Sequence, residues 1–138
     1  MLEHLYLAEI GGIAKIWAAL LDARAGRPWQ GALPHKGRTI EDVIDRTWKA
    51  REIAPPVATP HIGGPKAVWV SALRSLAAPL RDLASHLTDE ELDRVVFPHF
   101  LSGPLDARQR LEFLRFHMER HSAQVHRIRT HPDFPRSG

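Results

Sequence analysis

Apolar residues recur at spacings of three and four along most of the chain, the signature of helices with one buried face. Leu2 to about Ala25 reads as one helix, with Leu2, Leu5, Tyr6, Ile10, Ile13, Ile16, Trp17, Leu20 and Leu21 wrapping most of its circumference and Gly26 as a C-cap. Gly11 and Gly12, with Ala8, form a strip of small residues where a neighbouring helix can approach closely. After the Gly- and Pro-rich loop "GRPWQGALPHKG", a short helix is expected from Thr39, its N-cap, to about Arg51, with Glu41 and Asp42 in its first turn and Val43, Ile44 and Trp48 on one side. "APPVATPHIGGP" is again a loop, because its prolines and glycines oppose regular structure.

From Lys66 to about Leu87, Trp69, Leu73, Leu76, Leu80, Leu83 and Leu87 give a third helix that Pro79 should bend, since proline has no N–H to donate four residues back. Thr88 and Glu91 form a capping box for a short helical turn. "FPHFLSGPLD" reads as an ordered loop, and Asp106 caps a last helix that runs to about Thr130. The expected fold class is therefore all-α, a single domain over residues 1–138. A chain of 138 residues buries one core comfortably and two poorly.

Composition narrows the chemistry. There is no cysteine, so disulfides, thiolate zinc sites and cysteine nucleophiles are excluded and any metal must sit on nitrogen and oxygen. The pI of 9.8 accompanies a net charge of only +3, spread through arginines interleaved with acids. No clustered basic and aromatic patch marks a nucleic-acid surface, so no nucleic-acid partner is expected. Lys15 and Asp22 interrupt the most apolar stretch, which leads to the expectation of no membrane association and a cytoplasmic location.

The last helix carries an anomaly. Leu111, Leu114, Met118, Val125 and Ile128 fall on one broad stripe, and His117 and His121 fall within it. Arg108, Glu112, Arg115, Glu119, Ser122, His126 and Arg129 occupy the opposite, solvated face. A leucine in a core position contributes roughly 1.5 to 3 kcal/mol, whereas an unpartnered buried polar ring costs roughly 1 to 3 kcal/mol. Two such rings on adjacent turns need partners. A divalent cation is one, since side chains at i and i+4 stand about 5 to 6 Å apart at Cβ and two imidazoles can converge on one ion. Backbone carbonyls or a polar pocket without metal are the alternatives. His4, on a nearly all-apolar helix and on the strip shared with Ala8 and Gly11, is the candidate third ligand.

A helix with "EHLYLAE" near its start, a leucine-rich third helix, the loop "FPHFLSGPLD" and a final helix with "LEFLRFHMERHSAQVHRI" together resemble the DinB-like, or YfiT-like, metalloenzyme superfamily. This is the family of small helical bundles, not the lesion-bypass polymerase. The resemblance implies an up-down helical bundle in which His4, His117 and His121 bind a divalent metal ion, zinc or nickel in first place and iron or manganese after them. It also implies that Gln124 lines the pocket. Family members usually carry a long helix before the "EHL" helix, whereas only Met1 to Glu3 precede His4 here. The bundle is thus expected to lack its usual first helix. An upstream segment, a second chain in a homodimer or the short helix around Val43 to Trp48 is then expected to cover the exposed face.

The activity implied is metal-dependent transfer of a low-molecular-weight thiol, as co-substrate, to a small electrophile. Two other readings stay open: a non-catalytic helical stress or association protein, with or without metal, and a metal-dependent hydrolase. His61, His86 and His99 are further acid-base candidates, with surface or capping roles favoured, and Arg74 and Arg81 are expected to be solvated rather than to hold a carboxylate.

Overall fold

A computed structural model describes residues 1–49 and 52–135, and it is mostly helical. In chain order the elements are α1 (Leu2–Arg24), α2 (Ile40–Thr47), a 3-10 turn (Pro56–Ala58), α3 (Lys66–Ser75), α4 (Ala77–His86), α5 (Asp89–Arg94), strands β1 (Val96–His99) and β2 (Gly103–Asp106), and α6 (Ala107–Thr130).

α1 and α6 are the two long helices. They meet where Gly12 leaves room for Leu114: a Cβ built on Gly12 would stand 2.8 Å from Leu114 Cδ2. Around this crossing Ile13, Ile16 and Leu20 of α1 bury against Leu83 and Leu87 of the third helical segment, Val95, and Ala107 and Leu114 of α6. A second apolar cluster lies on the other flank of α6, where Ile40, Val43 and Ile44 of α2 close over Leu105 and Phe113. The short helix thus packs on one face of α6.

Local chemistry sets the boundaries. α1 ends in a Schellman turn: the Gly26 amide donates to the Ala23 carbonyl at 3.1 Å and the Arg27 amide to the Asp22 carbonyl at 2.9 Å, with Gly26 at φ +80°. Thr88 with Glu91 and Asp106 with Gln109 form reciprocal capping boxes at the starts of α5 and α6. The Arg24 guanidinium donates to the Glu91 carboxylate at 2.7 and 2.9 Å and so ties the end of α1 to α5.

Four expectations change. The third helix is two helices, broken at Leu76 and not at Pro79 itself, because the proline ring crowds the carbonyl four residues before it, that of Ser75. α2 stops at Thr47 with Trp48 already extended; Arg51 lies outside the described residues. "FPHFLSGPLD" is largely a β-hairpin, paired antiparallel from Val96 with Asp106 to His99 with Gly103. Its turn closes because Gly103 takes φ +74° and the buried His99 Nδ1 accepts the amides of Leu101 and Ser102 at 3.1 and 3.3 Å. Finally, the apolar stripe of α6 is buried only in its first half: Met118, Val125 and Ile128 are exposed, while Arg110 and Phe113 are buried. By length and composition α1 could span a bilayer despite Lys15 and Asp22; in this fold it is the helix on which the core is built.

Candidate metal centre

The three histidines singled out in the sequence lie together. His117 and His121 are one turn apart on α6, and His4 meets them from the first turn of α1, with one ring nitrogen from each within 4.8 Å of the others. The His4 and His117 Nε2 atoms are 3.2 Å apart. His121 stands edge-on to both rings, its centroid 5.1 Å from that of His4 and 4.7 Å from that of His117.

The other nitrogen of each ring is already engaged. His4 Nδ1 is 2.8 Å from the Ala58 carbonyl oxygen, to which it must donate, so the neutral ring keeps its lone pair on Nε2. His121 Nδ1 is 3.1 Å from Gln124 Oε1, with the same consequence. His117 Nδ1 faces the Glu9 carboxylate at 3.4 Å. A partner on Nδ1 that leaves Nε2 free is how proteins orient metal-binding imidazoles. Three nitrogen donors around an ion at about 2.0 to 2.1 Å in tetrahedral geometry stand roughly 3.3 Å apart. The His4–His117 separation matches this spacing, and a modest approach of His121 completes it. The donor set therefore fits a divalent transition metal.

Charge states agree with this. Burial, then the neighbouring His4 and Arg120 charges, pushes the His117 imidazole down to about 4. Burial and the two companion histidines push His121 down to about 4 as well. Both rings are neutral at pH 7. Glu9 is buried and its carboxyl is pushed up to about 8 by desolvation alone. With Glu9 protonated and no cation present, the groups form one continuous chain. Glu9 donates to His117 Nδ1, His117 Nε2–H to His4 Nε2, and His4 Nδ1–H to the Ala58 carbonyl. If a cation took the Nε2 lone pair of His117, that ring would carry its proton on Nδ1 and could donate it to an ionised Glu9.

The first turn of a helix would normally fray, yet His4 is held from both sides. Glu3, buried beside it, accepts the backbone amides of His61 and Ile62 on Oε1 at 2.6 and 2.7 Å and that of Gly63 on Oε2 at 2.9 Å. The Ile62, His61 and Gly63 amides hold its carboxyl below the usual range. The same loop presents the Ala58 carbonyl to His4. The stretch from Ala58 to Gly63 thus clamps the start of α1 around His4.

The triad opens into a cavity of about 1020 Å³ between α1, α6, the hairpin and the loop that follows α2. Gln124 lines it, one turn beyond His121, where the sequence led one to expect it. His99 also faces it, stacked on Trp48 at 5.6 Å while capping its own turn. His61 and His86 bond neighbouring carbonyls on the surface, and Arg74, Arg81 and His126 are exposed. Glu3, Glu9 and Arg110 escaped sequence reasoning. Arg110 carried a visible signal: seven residues before His117, it lies about 20° from that histidine around the helix. No protein-family model, curated protein or solved structure matches the chain.

Proposed function

We propose that this protein is a divalent-metal-dependent enzyme of the DinB-like helical-bundle type, which transfers a low-molecular-weight thiol to a small electrophile. The observation that carries the reading is the convergence of one ring nitrogen from each of three histidines, each ring fixed through its other nitrogen, on the wall of a cavity large enough for two small molecules. Three neutral donors leave positions open to an exogenous ligand, as catalytic sites do and closed structural sites do not. Zinc or nickel suits an all-imidazole set best, with iron or manganese next. A bound ion lowers the pKa of a coordinated thiol, so that thiolate is present near neutral pH. The chain's own part is positional. Glu9, Ala58 and Gln124 hold the ring orientations, and Phe97, Phe113 and Phe116 supply apolar wall to the cavity.

The test is metal content by mass spectrometry on untagged protein, for wild type and His121→Ala, followed by assay against a small electrophile with and without added thiol. Near-stoichiometric zinc or nickel that is lost in the variant, with turnover that requires thiol, supports the proposal. Turnover of esters or amides without thiol would replace it with a hydrolase. Metal without turnover would leave a non-catalytic binding protein.

A further inference from the structure

About two helical turns from the histidines, on the wall of the same cavity, is a buried cation, Arg110. Arg110 is 7% exposed, and its Nε and Nη1 are buried without a hydrogen-bond acceptor among the described residues. Its guanidinium stands 5.3 Å from the Phe97 ring centroid and 5.9 Å from that of Phe113. Aromatic faces attract a cation but accept few of its N–H bonds, so this packing explains where the group lies and not how it is satisfied. Lys15 lies over the same Phe97 ring at 5.2 Å, and both cations line the cavity. Burial alone draws Arg110 down to about 10. Burial first, then Arg110, His117 and Lys15 drive the neighbouring His99 down to about 3. Among the described residues Glu52 is the one carboxylate that lines the cavity, and its Oε1 is taken by the Lys49 amide at 2.6 Å.

We propose that Arg110, assisted by Lys15, is the docking site for a carboxylate, and that the molecule bound in the cavity carries this carboxylate about two helical turns from the histidine cluster. Arg110 precedes His117 by seven residues on one face of α6, a separation of roughly 10 Å along the axis. A guanidinium edge offers two N–H donors to a carboxylate, and each edge of Arg110 includes one of the nitrogens without an acceptor; both are closed to solvent in the ligand-free fold, so the side chain must turn towards the cavity to present an edge. The aromatic walls suit a monoanion on an apolar stem better than a dianionic phosphate, which would need further donors. This assignment rests on the cavity being the substrate site, as proposed above, and does not depend on the metal.

The experiment uses metal-free protein, whose metal content is checked separately so that a failed metal reading is not confused with a failed carboxylate site. Phenylacetate and its neutral isostere phenylacetamide are titrated by calorimetry. Phenylacetate should bind at least about tenfold more tightly than the amide. Arg110→Met should bring the acid to the level of the amide while leaving the amide unchanged, with a melting temperature equal to or above that of wild type, because an unpaired buried charge has been removed. Equal binding of acid and amide by wild type, no binding of either, or full retention of the acid by Arg110→Met would overturn the proposal. The wild-type comparison decides even if the variant fails to fold. Displacement of phenylacetate by inorganic phosphate as readily as by acetate would also overturn it, by showing a general anion site. Displacement by mercaptohexanoate and not by fumarate assigns the carboxylate to the thiol, and the reverse assigns it to the electrophile; either result supports the site.

Discussion

The two ends of the cavity treat buried polar groups in opposite ways. At the histidine end each ring nitrogen that points away from the cluster has a partner, and the partners come from three separate segments: α1, the loop before α3, and α6 itself. At the Arg110 end a full charge is buried against aromatic rings, with two nitrogens that find no acceptor among the described residues. Folding alone selects against the second arrangement, because an unpaired buried cation costs several kcal/mol that a methionine of similar length would not. A satisfied cluster can be explained by the fold or by a metal, whereas an unsatisfied cation that lines a cavity calls for something from outside. The contrast teaches which groups to perturb. Changes at the histidine end should alter both metal affinity and the local fold, whereas removal of the Arg110 charge should weaken carboxylate binding without loss of stability.

The sharpest break in that comparison comes from the clamp on α1. Glu3→Gln keeps the size of the side chain but removes the carboxylate that gathers the amides of residues 61–63. Glu3 acts on His4 only through the loop, so metal affinity should fall by up to roughly tenfold, the lower end of what losing a direct partner of a ligand costs, while carboxylate binding at Arg110 stays unchanged. Competition with a chromophoric chelator measures the first quantity and phenylacetate calorimetry the second. An unchanged metal affinity would mean that His4 is held by Ala58 alone.

Glu9 sharpens the histidine end further. Its carboxyl, pushed up to about 8, is protonated in the metal-free protein at pH 7 and must ionise when His117 turns its Nδ1–H towards it. Zinc binding should therefore release about one proton per site at pH 7 and fewer as the pH rises past 8. Calorimetry in buffers of different ionisation enthalpy measures this directly. Glu9→Gln should abolish the release, and a release that persists in that variant would place the proton elsewhere.

His99 gives a smaller effect from the arginine end. Its folded-state value of about 3 lies below the ordinary 6.5, so below pH 6.5 the unfolded chain binds a proton that the folded chain refuses. Stability from this residue is present above pH 6.5 and is lost as the pH falls towards 3. Protonating Nδ1 would also remove the acceptor that closes the hairpin turn. His99→Asn, which can accept the same amides, should flatten the acid side of the melting-temperature profile of the metal-free protein while leaving neutral stability nearly as it was. A steep acid limb retained by the variant would assign it to His117 and His121, both held near 4.

Much of this was legible in the residues. The helical repeat located α1 and α6 to within a residue or two, because long amphipathic patterns with Gly26 and Asp106 at their ends leave few alternatives. The histidines on the apolar stripe announced themselves as misplaced polar groups. The hairpin was hidden because Pro98, Pro104 and Gly103 look like loop formers when their pairing partners are unknown; in a two-stranded ribbon every strand is an edge and tolerates proline. Glu3 and Glu9 were hidden for a different reason. An acid on a helix is ordinarily solvated, and only the return of the loop at residues 58–63 and the arrival of His117 from the far end of the chain make these two buried. The exposed half of the α6 stripe shows the converse: periodicity reports which residues could be buried together, and the length of the neighbouring elements decides which are.

Gly11 and Gly12 put the contrast between packed wall and open cavity on adjacent residues of α1. Both lower helix propensity by about 1 kcal/mol relative to alanine. At Gly11, which lines the cavity, an added Cβ meets nothing within 4 Å, so Gly11→Ala should raise stability by about 0.5 to 1 kcal/mol. At Gly12 the same methyl would stand 2.8 Å from Leu114 Cδ2 and force that side chain, the centre of the α1–α6 crossing, out of place. Overpacking of this kind costs about 1 to 3 kcal/mol, enough to cancel the propensity gain and turn the sign. Urea denaturation of the two variants should therefore move in opposite directions. Leu114→Ala in the Gly12→Ala background identifies the cause: if crowding is responsible, the double variant loses less stability than the sum of the two single losses. Additive losses would show that Gly12 is required for the backbone of α1 and not for the approach of α6.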